Sequence, residues 1–564
     1  MPQETHSRIV QALASHGYNA DREAVTLLAS ATDPSAAIDA VISTADDDAL
    51  RITSDEVRAC LATDADDQPA VVQSGSDAAT STTTNASSES TTSTATATSA
   101  ATPTSTEADS STGTQPTQNS ETKDESPSEI TGETHREPDT ESATQREPGP
   151  ETMPTAGDGP ERTPTPAEIS GDITGRSTGT GEYGQFVATF RDRYERLSSL
   201  LKGRVNHRPA SAIADMPGGS DAEMIGLVND IRSTASGHWL VELEDTTGTF
   251  PALVMKDKPI AELVDQLLLD ECIAVQGTLA DDSGILFADS IHFPDVPRTF
   301  RPNTADRHVQ AALVSDIHVG SQEFMADAWQ RFADWLHTEA AEHVEYLLIA
   351  GDMVEGVGVY PEQDEELDIV DIFEQYEAFA EHLKAVPGDM EIVMTPGNHD
   401  AVRLAEPQPG FDEELRSIMS AHDARITGNP STVTIEGVSI LMYHGVSLDE
   451  VIAELPEEKA SYDEPHKAMY QLLKKRHVAP QYGGHTRLAP ETRDYLIIDE
   501  VPDVFHAGHV HKLGYGKYHN VLTINSGCWQ AQTDFQKSVN IDPDAGFAPI
   551  VDLETLELTV RSFG

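Results

Sequence analysis

Short apolar runs, each closed by glycine and a polar cluster, recur through the second half of the chain. VQAALV (309–314), VEYLLIA (344–350), EIVM (391–394), VSILM (438–442) and PDVF (502–505) are the clearest. Runs of this length bounded by turn residues predict buried core strands. Between them the apolar period becomes helical, in FMADAWQRFADWLHTEA (324–340), DIFEQYEAFAEHLKAV (371–386) and KAMYQLLKKRHVAP (467–480). Alternating strands and helices predict parallel strands joined by crossovers, an α/β domain over 301–564. VLTINSGCWQ (521–530) and APIVDLETLELTVRSF (548–563) are expected to be strands closing a second sheet.

Upstream, strand-like runs at 222–231, 238–255, 271–280 and 285–293 surround the hairpin signal DTTGT (245–249), with a helix expected at 259–269. Five short strands and one such helix predict an OB-fold barrel. Trp239 and Phe250 are expected to pack that barrel rather than to stack on nucleic acid. A helix over 185–203, with Phe186, Phe190, Tyr194, Leu197 and Leu201 on one side, completes a domain over 185–300. Residues 1–62 read as a small helical domain, with helices at 9–18, 22–30, 34–45 and 54–62. Between them, 63–180 is rich in Ser, Thr, Ala, Pro and acids. It has no base between Arg58 and Lys123 and no aromatic between Tyr18 and Tyr183. Such a stretch cannot bury enough apolar surface to offset its ordering entropy, so a disordered acidic linker is expected.

Charge changes the picture of the surface. The chain carries 96 acidic against 37 basic residues, a net charge of −59 over 564 residues. Nucleic-acid binders usually show the opposite balance. An excess spread this evenly reads as a salt-adapted, halophilic surface, kept soluble by self-repulsion. The densest local exception is Lys467, Lys474, Lys475 and Arg476, for which DNA phosphates, an acidic partner or a plain exposed helix end are the candidate counterparts. Three widely spaced cysteines, Cys60, Cys272 and Cys528, fit neither a disulfide framework nor a zinc knuckle. No signal pattern and no membrane-length apolar run is present, so a cytoplasmic protein with no membrane association is expected.

Each of the five apolar runs in the α/β domain leads into metal-liking side chains: SDIHVG (315–320), AGDMVEG (350–356), TPGNHDA (395–401), MYHGV (442–446) and AGHVHK (507–512). Asp316 and His318 can chelate together, Asp352 can bridge two ions, Asn398 offers a neutral oxygen, and His444, His509 and His511 offer imidazoles. These seven suffice for two divalent metal ions sharing Asp352. Such a pair stabilises both attacking and leaving oxygens in phosphoester hydrolysis. His399 is the candidate catalytic residue, placed to meet the phosphoryl group or protonate the leaving alkoxide, with Asp400 orienting it. His477, His485, His506 and His519 match no ligand spacing and are expected to be structural or surface groups.

In this order, each after an apolar run, the five motifs resemble the calcineurin-like metallophosphoesterase superfamily. SDIHVGSQEF, GDMVEGVGVYPEQDEEL, PGNHDAVRLAEPQP, RHVAPQYGGHTRLAPE and NSGCWQAQTDFQ look more specifically like the family of small subunits of archaeal DNA polymerase D, over residues 185–564. Cys528 departs from that pattern, which more often has Thr or another small residue there. The resemblance implies an α/β metallophosphoesterase β-sandwich with flanking helices, preceded by an OB-fold barrel and a small N-terminal helical domain. It implies a proofreading 3′–5′ exonuclease acting on single-stranded or mismatched DNA 3′ ends, paired with a large catalytic polymerase subunit. By the same resemblance one ion takes Asp316, His318, Asp352 and His511, and the other Asp352, Asn398, His444 and His509. His399 falls on the catalytic histidine, and the metal is Mn2+, with Mg2+, Zn2+ or Fe as alternatives. A non-catalytic polymerase subunit and a stand-alone phosphatase or phosphodiesterase are the competing readings.

Overall fold

The computed structural model of the chain describes residues 162–178, 181–361, 363–419, 424–484 and 486–564. Of the N-terminal part it describes Ile9, Leu13 and residues 19–20, 22–31, 34–44, 51–52, 54 and 57–60. The expected linker from 63 to 161 lies outside the described residues, as does His485.

In the N-terminal part, β1 (Asn19–Ala20) leads into α1 (Arg22–Ser30) and α2 (Pro34–Thr44), and β1 pairs in parallel with β2 (Arg51–Ile52). Ile9, Leu13, Val25, Leu28, Ile38, Val41, Ile52 and Val57 bury one another in a single small core. The expected helices at 22–30 and 34–45 are present; the two-residue strand pair has no sequence signal.

Residues 162–178 correct the expected linker boundary of 180. They include β3 (Glu168–Ser170), and their order does not come from a core of their own. The Arg162 guanidinium donates to the carbonyls of Val344 and Ala341 (2.8 and 3.1 Å) and pairs with Asp389 at 3.0 Å. Composition records how much apolar surface a segment owns, not that a neighbouring sheet edge can satisfy its backbone.

After α3 (Tyr183–Leu201) come the barrel strands β4 (Asp221–Ser233), β5 (Trp239–Asp245), β6 (Gly248–Val254), β7 (Cys272–Leu279) and β8 (Leu286–His292). They close in the order β4-β5-β6-β8-β7. Asp245 Oδ1 accepts from the Thr247 N–H and hydroxyl, both at 2.7 Å, and so fixes the hairpin at the DTTGT signal. Phe250 is buried in the barrel core, with Trp239 packed against it. The helix expected over 259–269 is only Ala261–Val264. Beyond it side chains take the backbone groups a helix would use: Lys475 Nζ donates to the Gln266 carbonyl (2.7 Å), and the Leu268 N–H donates to Glu271 (2.8 Å).

Besides short helical turns, among them Glu413–Ile418 and Asp534–Ser538, the further elements are β9 (Gln310–Val314), α4 (Ala326–Leu336), β10 (Val344–Ala350), α5 (Ile372–Leu383), β11 (Glu391–Thr395), β12 (Arg425–Ile426), β13 (Ser431–Ile435), β14 (Val438–Met442), α6 (Ser447–Glu454), α7 (Pro465–Lys475), β15 (Val504–Ala507), β16 (Leu513–Tyr518), β17 (Val521–Ser526), β18 (Phe547–Asp552) and β19 (Glu557–Ser562). They build two six-stranded sheets, β12-β11-β10-β9-β18-β19 and β16-β17-β15-β14-β13-β3. Facing residues such as Leu313, Tyr346 and Leu348 from one sheet and Val433, Ile440 and Ile524 from the other share a core. The outer face of the first sheet packs on α4 and α5, around Trp329, Phe332, Tyr376 and Phe379. That of the second packs on α6 and α7, around Leu448, Met469, Leu472 and Phe505. The result is helices, sheet, sheet, helices. Strands buried on both faces read as continuous apolar runs, which is why β10 is VEYLLIA.

Two further expectations are corrected. The segment 548–563 does not close the second sheet. Its strands β18 and β19 form a hairpin that joins the first sheet antiparallel to β9, while β17 does lie in the second. Ala548 and Ile550 fill the core under α4, and Val551 fills the core between sheets, so both hairpin faces find apolar partners only there. The basic cluster on α7 does not face a polyanion. Lys475 is fully buried and pairs with Glu271 of the barrel at 3.1 Å. Lys474 donates to Gln266 at 2.8 Å and lies 3.9 Å above the Phe293 ring. Arg476, at φ +55°, ends the helix, and its guanidinium donates to the carbonyls of Ile498 and Asp499. Lys467 pairs with Glu464. Apart from Glu464, the groups that these cations meet are distant in sequence.

Candidate metal centre

Five strand ends deliver the site. Asp316 follows β9 by two residues, Asp352 follows β10 by two, Asn398 follows β11 by three, and His444 and His509 each follow β14 and β15 by two. The carboxyl ends of parallel strands are where an α/β sheet gathers its ligands. As the ladders end, the chains stay stitched: the Asp316 N–H donates to the Gly351 carbonyl (3.0 Å), and those of Ile317 and His318 donate to the Asp352 carbonyl (2.8 and 3.1 Å). Asp316, His318, Asp352, His509 and His511 all sit at left-handed φ, between 51° and 73°. Each such residue costs on the order of 1–3 kcal/mol and persists only where its surroundings over-determine it. Glycine lets the loops close. A Cβ at Gly397 would lie 2.2 Å from Asp352 Oδ1, and one at Gly508 would lie 2.2 Å from Asp316 Oδ2.

The seven expected ligand residues come together. Asp316, His318 and His511 form one cluster, and Asp352, His444 and His509 another. Within each, one potential ligand atom per residue lies within 4.8 Å of the others. Asp352 stands between them: its Oδ2 is 3.1 Å from His444 Nε2 and 3.9 Å from His318 Nε2. Asn398 Oδ1 is 3.0 Å from His444 Nε2, and His318 Nε2 is 3.0 Å from His511 Nε2. His511 Nε2 lies 3.6 Å from Asp316 Oδ1.

In three of the four rings a nitrogen is held from behind. His444 Nδ1 donates to the Ala350 carbonyl (2.9 Å), His509 Nε2 meets Asp449 (3.0 Å), and the Gln536 amide meets His511 Nδ1 (3.0 Å). His318 Nδ1 is 2.9 Å from Glu355 Oε2, off the hydrogen-bonding direction. Partners of this kind orient an imidazole for metal.

Asp316 and Asp352 are buried with no Lys or Arg against them among the described residues, so positive charge must come from elsewhere. Burial opposes charging of His318 and His444, yet Glu355 lifts the first to about 9 and Asp352 the second to about 10. Burial and His318 together push His511 well down. Asp352, despite burial, is held well below the usual carboxylate range by His444 and His399. Buried carboxylates, a neutral amide oxygen and oriented imidazoles are a donor set that divalent cations fit.

His399 forms a third such group with His318 and Asp352, its ring 4.8 Å from that of His318. Its backbone N–H donates to Asp352 Oδ1 (2.8 Å), and its Nδ1 donates to the Glu355 carbonyl (2.7 Å), while Nε2 has no hydrogen-bond partner among the described residues. Asp400 does not orient it, contrary to expectation. Asp400 accepts from the Gly397 N–H (2.8 Å) and the Tyr376 hydroxyl (3.0 Å), and burial and Asp352 push it up to about 7. It braces the loop. Glu355, Asp449 and Gln536 went unseen in the sequence. Glu355 lies inside the quoted AGDMVEG run, three residues after Asp352, and its 1% exposure with contacts to two site histidines marks it only in three dimensions. His477 is buried against Asp494 (2.9 Å), His506 meets Ser526 (3.1 Å), and His519 meets the Val296 carbonyl (2.9 Å). All three lie away from the clusters. Cys528 is a buried free thiol and no ligand.

Residues 311–513 match the family model of the DNA polymerase alpha/epsilon B-subunits. The chain is 62% identical over 563 residues to the DNA polymerase II small subunit of Halobacterium salinarum, covering 100% of both. It is 44% identical over 383 residues to that of Archaeoglobus fulgidus (66% of this chain, 76% of the relative). For the Methanothermobacter thermautotrophicus protein the figure is 40% over 402 residues (69% and 82%). Such a subunit implies a large catalytic partner, and no helix among the described residues is long and apolar enough to cross a membrane. The chain belongs to the family of small subunits of archaeal DNA polymerase II, also called polymerase D.

Proposed function

We propose that this polymerase subunit is a two-metal 3′–5′ exonuclease that hydrolyses DNA phosphodiesters at single-stranded or mismatched 3′ ends. The observation that carries the reading is the position of Asp352, whose carboxylate stands between two clusters of buried donors. Asp316, His318, Asp352 and His511 would hold one ion, and Asp352, Asn398, His444 and His509 the other, with Mn2+ the expected metal. When bound, the ions supply an activated water and offset charge on the phosphoryl oxygens. The chain's own groups do the rest. His399 offers Nε2 to the leaving oxygen, the Glu355 carbonyl holds the His399 ring while its carboxylate places negative charge beside His318, and the strained loops keep the donors converged without substrate. Two stacked sheets between helices with the site at their strand ends support a metallophosphoesterase domain over 301–564. The closed five-stranded barrel supports an OB-fold within 185–300, and residues 1–62 a separate helical domain.

The test is incubation of the two-subunit complex with Mn2+ and a 5′-labelled single strand, without nucleoside triphosphates. Stepwise shortening from the 3′ end supports the reading. No shortening points to a non-catalytic subunit, and cleavage of small phosphate esters alone points to a phosphatase.

A further inference from the structure

We propose that Tyr360 and Phe535 form a stacking wall for an unpaired nucleobase beside the scissile phosphate, and so select single-stranded over paired ends. The proposal rests on the nuclease reading above and deepens it. The two rings are stacked, 4.7 Å between centroids with planes 24° apart. Phe535 is 39% exposed, although it is large and apolar. Both line the same cavity of about 170 Å³ as His318, Asp352 and His399, and the Tyr360 ring lies 6.2 Å from that of His399.

The rings are held in place. The Tyr360 hydroxyl donates to Glu355 Oε1 (3.1 Å) and Glu366 Oε2 (3.0 Å), and the Phe535 N–H donates to Glu366 Oε1 (2.9 Å). One carboxylate thus ties both, and Glu355 links them to the site histidines. Tyr462, 45% exposed, lines the same cavity.

Charge argues for stacking as the source of grip. No Lys or Arg is among the described residues lining the cavity, and the chain carries −59, which repels a polyanion. Stacking needs no charge, accepts any base and persists where salt screens. A paired 3′-terminal base is held to its complement and stacked on its 5′ neighbour, so it turns out to meet Phe535 only after unpairing.

The test uses the full chain in complex with its large polymerase subunit, without nucleoside triphosphates. In Mn2+, a single-stranded oligonucleotide is compared with the same strand whose last two sugars lack bases. Phe535→Ala should raise KM for the base-bearing strand about tenfold, the scale of one lost stacking partner, and leave the base-free strand unchanged. Phe535→Trp should keep the wild-type KM. In EDTA, 3′-terminal 2-aminopurine should be quenched by the wild type and less by Phe535→Ala. Equal KM values on the base-bearing strand, or equal loss on both strands, would overturn the wall and leave the nuclease reading standing. If the wild type cleaves neither strand, the nuclease reading falls, and the quenching in EDTA decides the wall by itself.

Discussion

At His399 one ring nitrogen is spent on the Glu355 carbonyl, and the proposed reaction uses the other. His399→Ala should therefore lower kcat by roughly 10²–10⁴-fold with metal content unchanged by elemental analysis. Retained cleavage would remove His399 from the reaction. Glu355 acts through other residues. Glu355→Gln keeps the backbone carbonyl that holds His399 but removes the charge beside His318. It should weaken metal affinity about 10–100-fold and lower the pH at which the site loads. The sign follows from the histidines: Glu355 raises His318 to about 9, so at neutral pH a metal must displace its proton. With His444 at about 10 as well, metal binding at pH 7 should release protons, read by calorimetry in buffers of different ionisation enthalpy. Heats independent of the buffer would count against this ligand set.

Among the elements, α7 shows how far sequence carries. Its helical period was legible because it is local, although the helix runs Pro465–Lys475 and not over the expected 467–480. That Lys475 would leave the surface and pair with Glu271 was not, because the acid lies in another element. Removing one partner of a buried pair leaves the other charge uncompensated. Glu271→Gln alone should destabilise by about 3–5 kcal/mol, while Glu271→Leu with Lys475→Met should recover much of that in denaturant titrations. A single mutant as stable as the wild type would mean the pair is solvated. The C-terminal hairpin makes the same point: 548–563 read as strands, but which sheet takes them depends on the apolar surface left open beside β9.

For the whole molecule, −59 of net charge predicts a fold that loosens in dilute buffer and gains stability as salt screens the repulsion. The denaturation midpoint should climb with KCl; a flat response would sink the salt-adapted reading. Acid should destabilise by a separate route. Burial and the neighbouring Arg193 hold His477 down to about 4 from an ordinary value near 6.5. Between those values the unfolded chain binds a proton that the folded chain refuses, so stability falls as pH drops, by about 3 kcal/mol over the window. Asp494 works in the same direction, lower down. Despite burial, Arg193 and His477 hold it well below 3.8, so its stabilisation is present above that value and is lost as pH falls further. His477→Asn should flatten the loss between pH 6.5 and 4.

The central strands of the α/β domain, the barrel strands, the longer helices and the seven residues that meet at the strand ends were legible in the chain, because apolar periodicity and glycine-punctuated strand ends are local properties; β1, β2, β3, β12, β13 and β16 were not, because pairing with another segment defines them. Packing between distant segments decided that Glu355, Asp449 and Gln536 stand against the site histidines, that Asp400 braces a loop instead, that 162–178 is folded, and that Lys475 is buried. Each of those depends on a partner in another part of the fold, and pairing of that kind is fixed by how the sheets, helices and barrel pack.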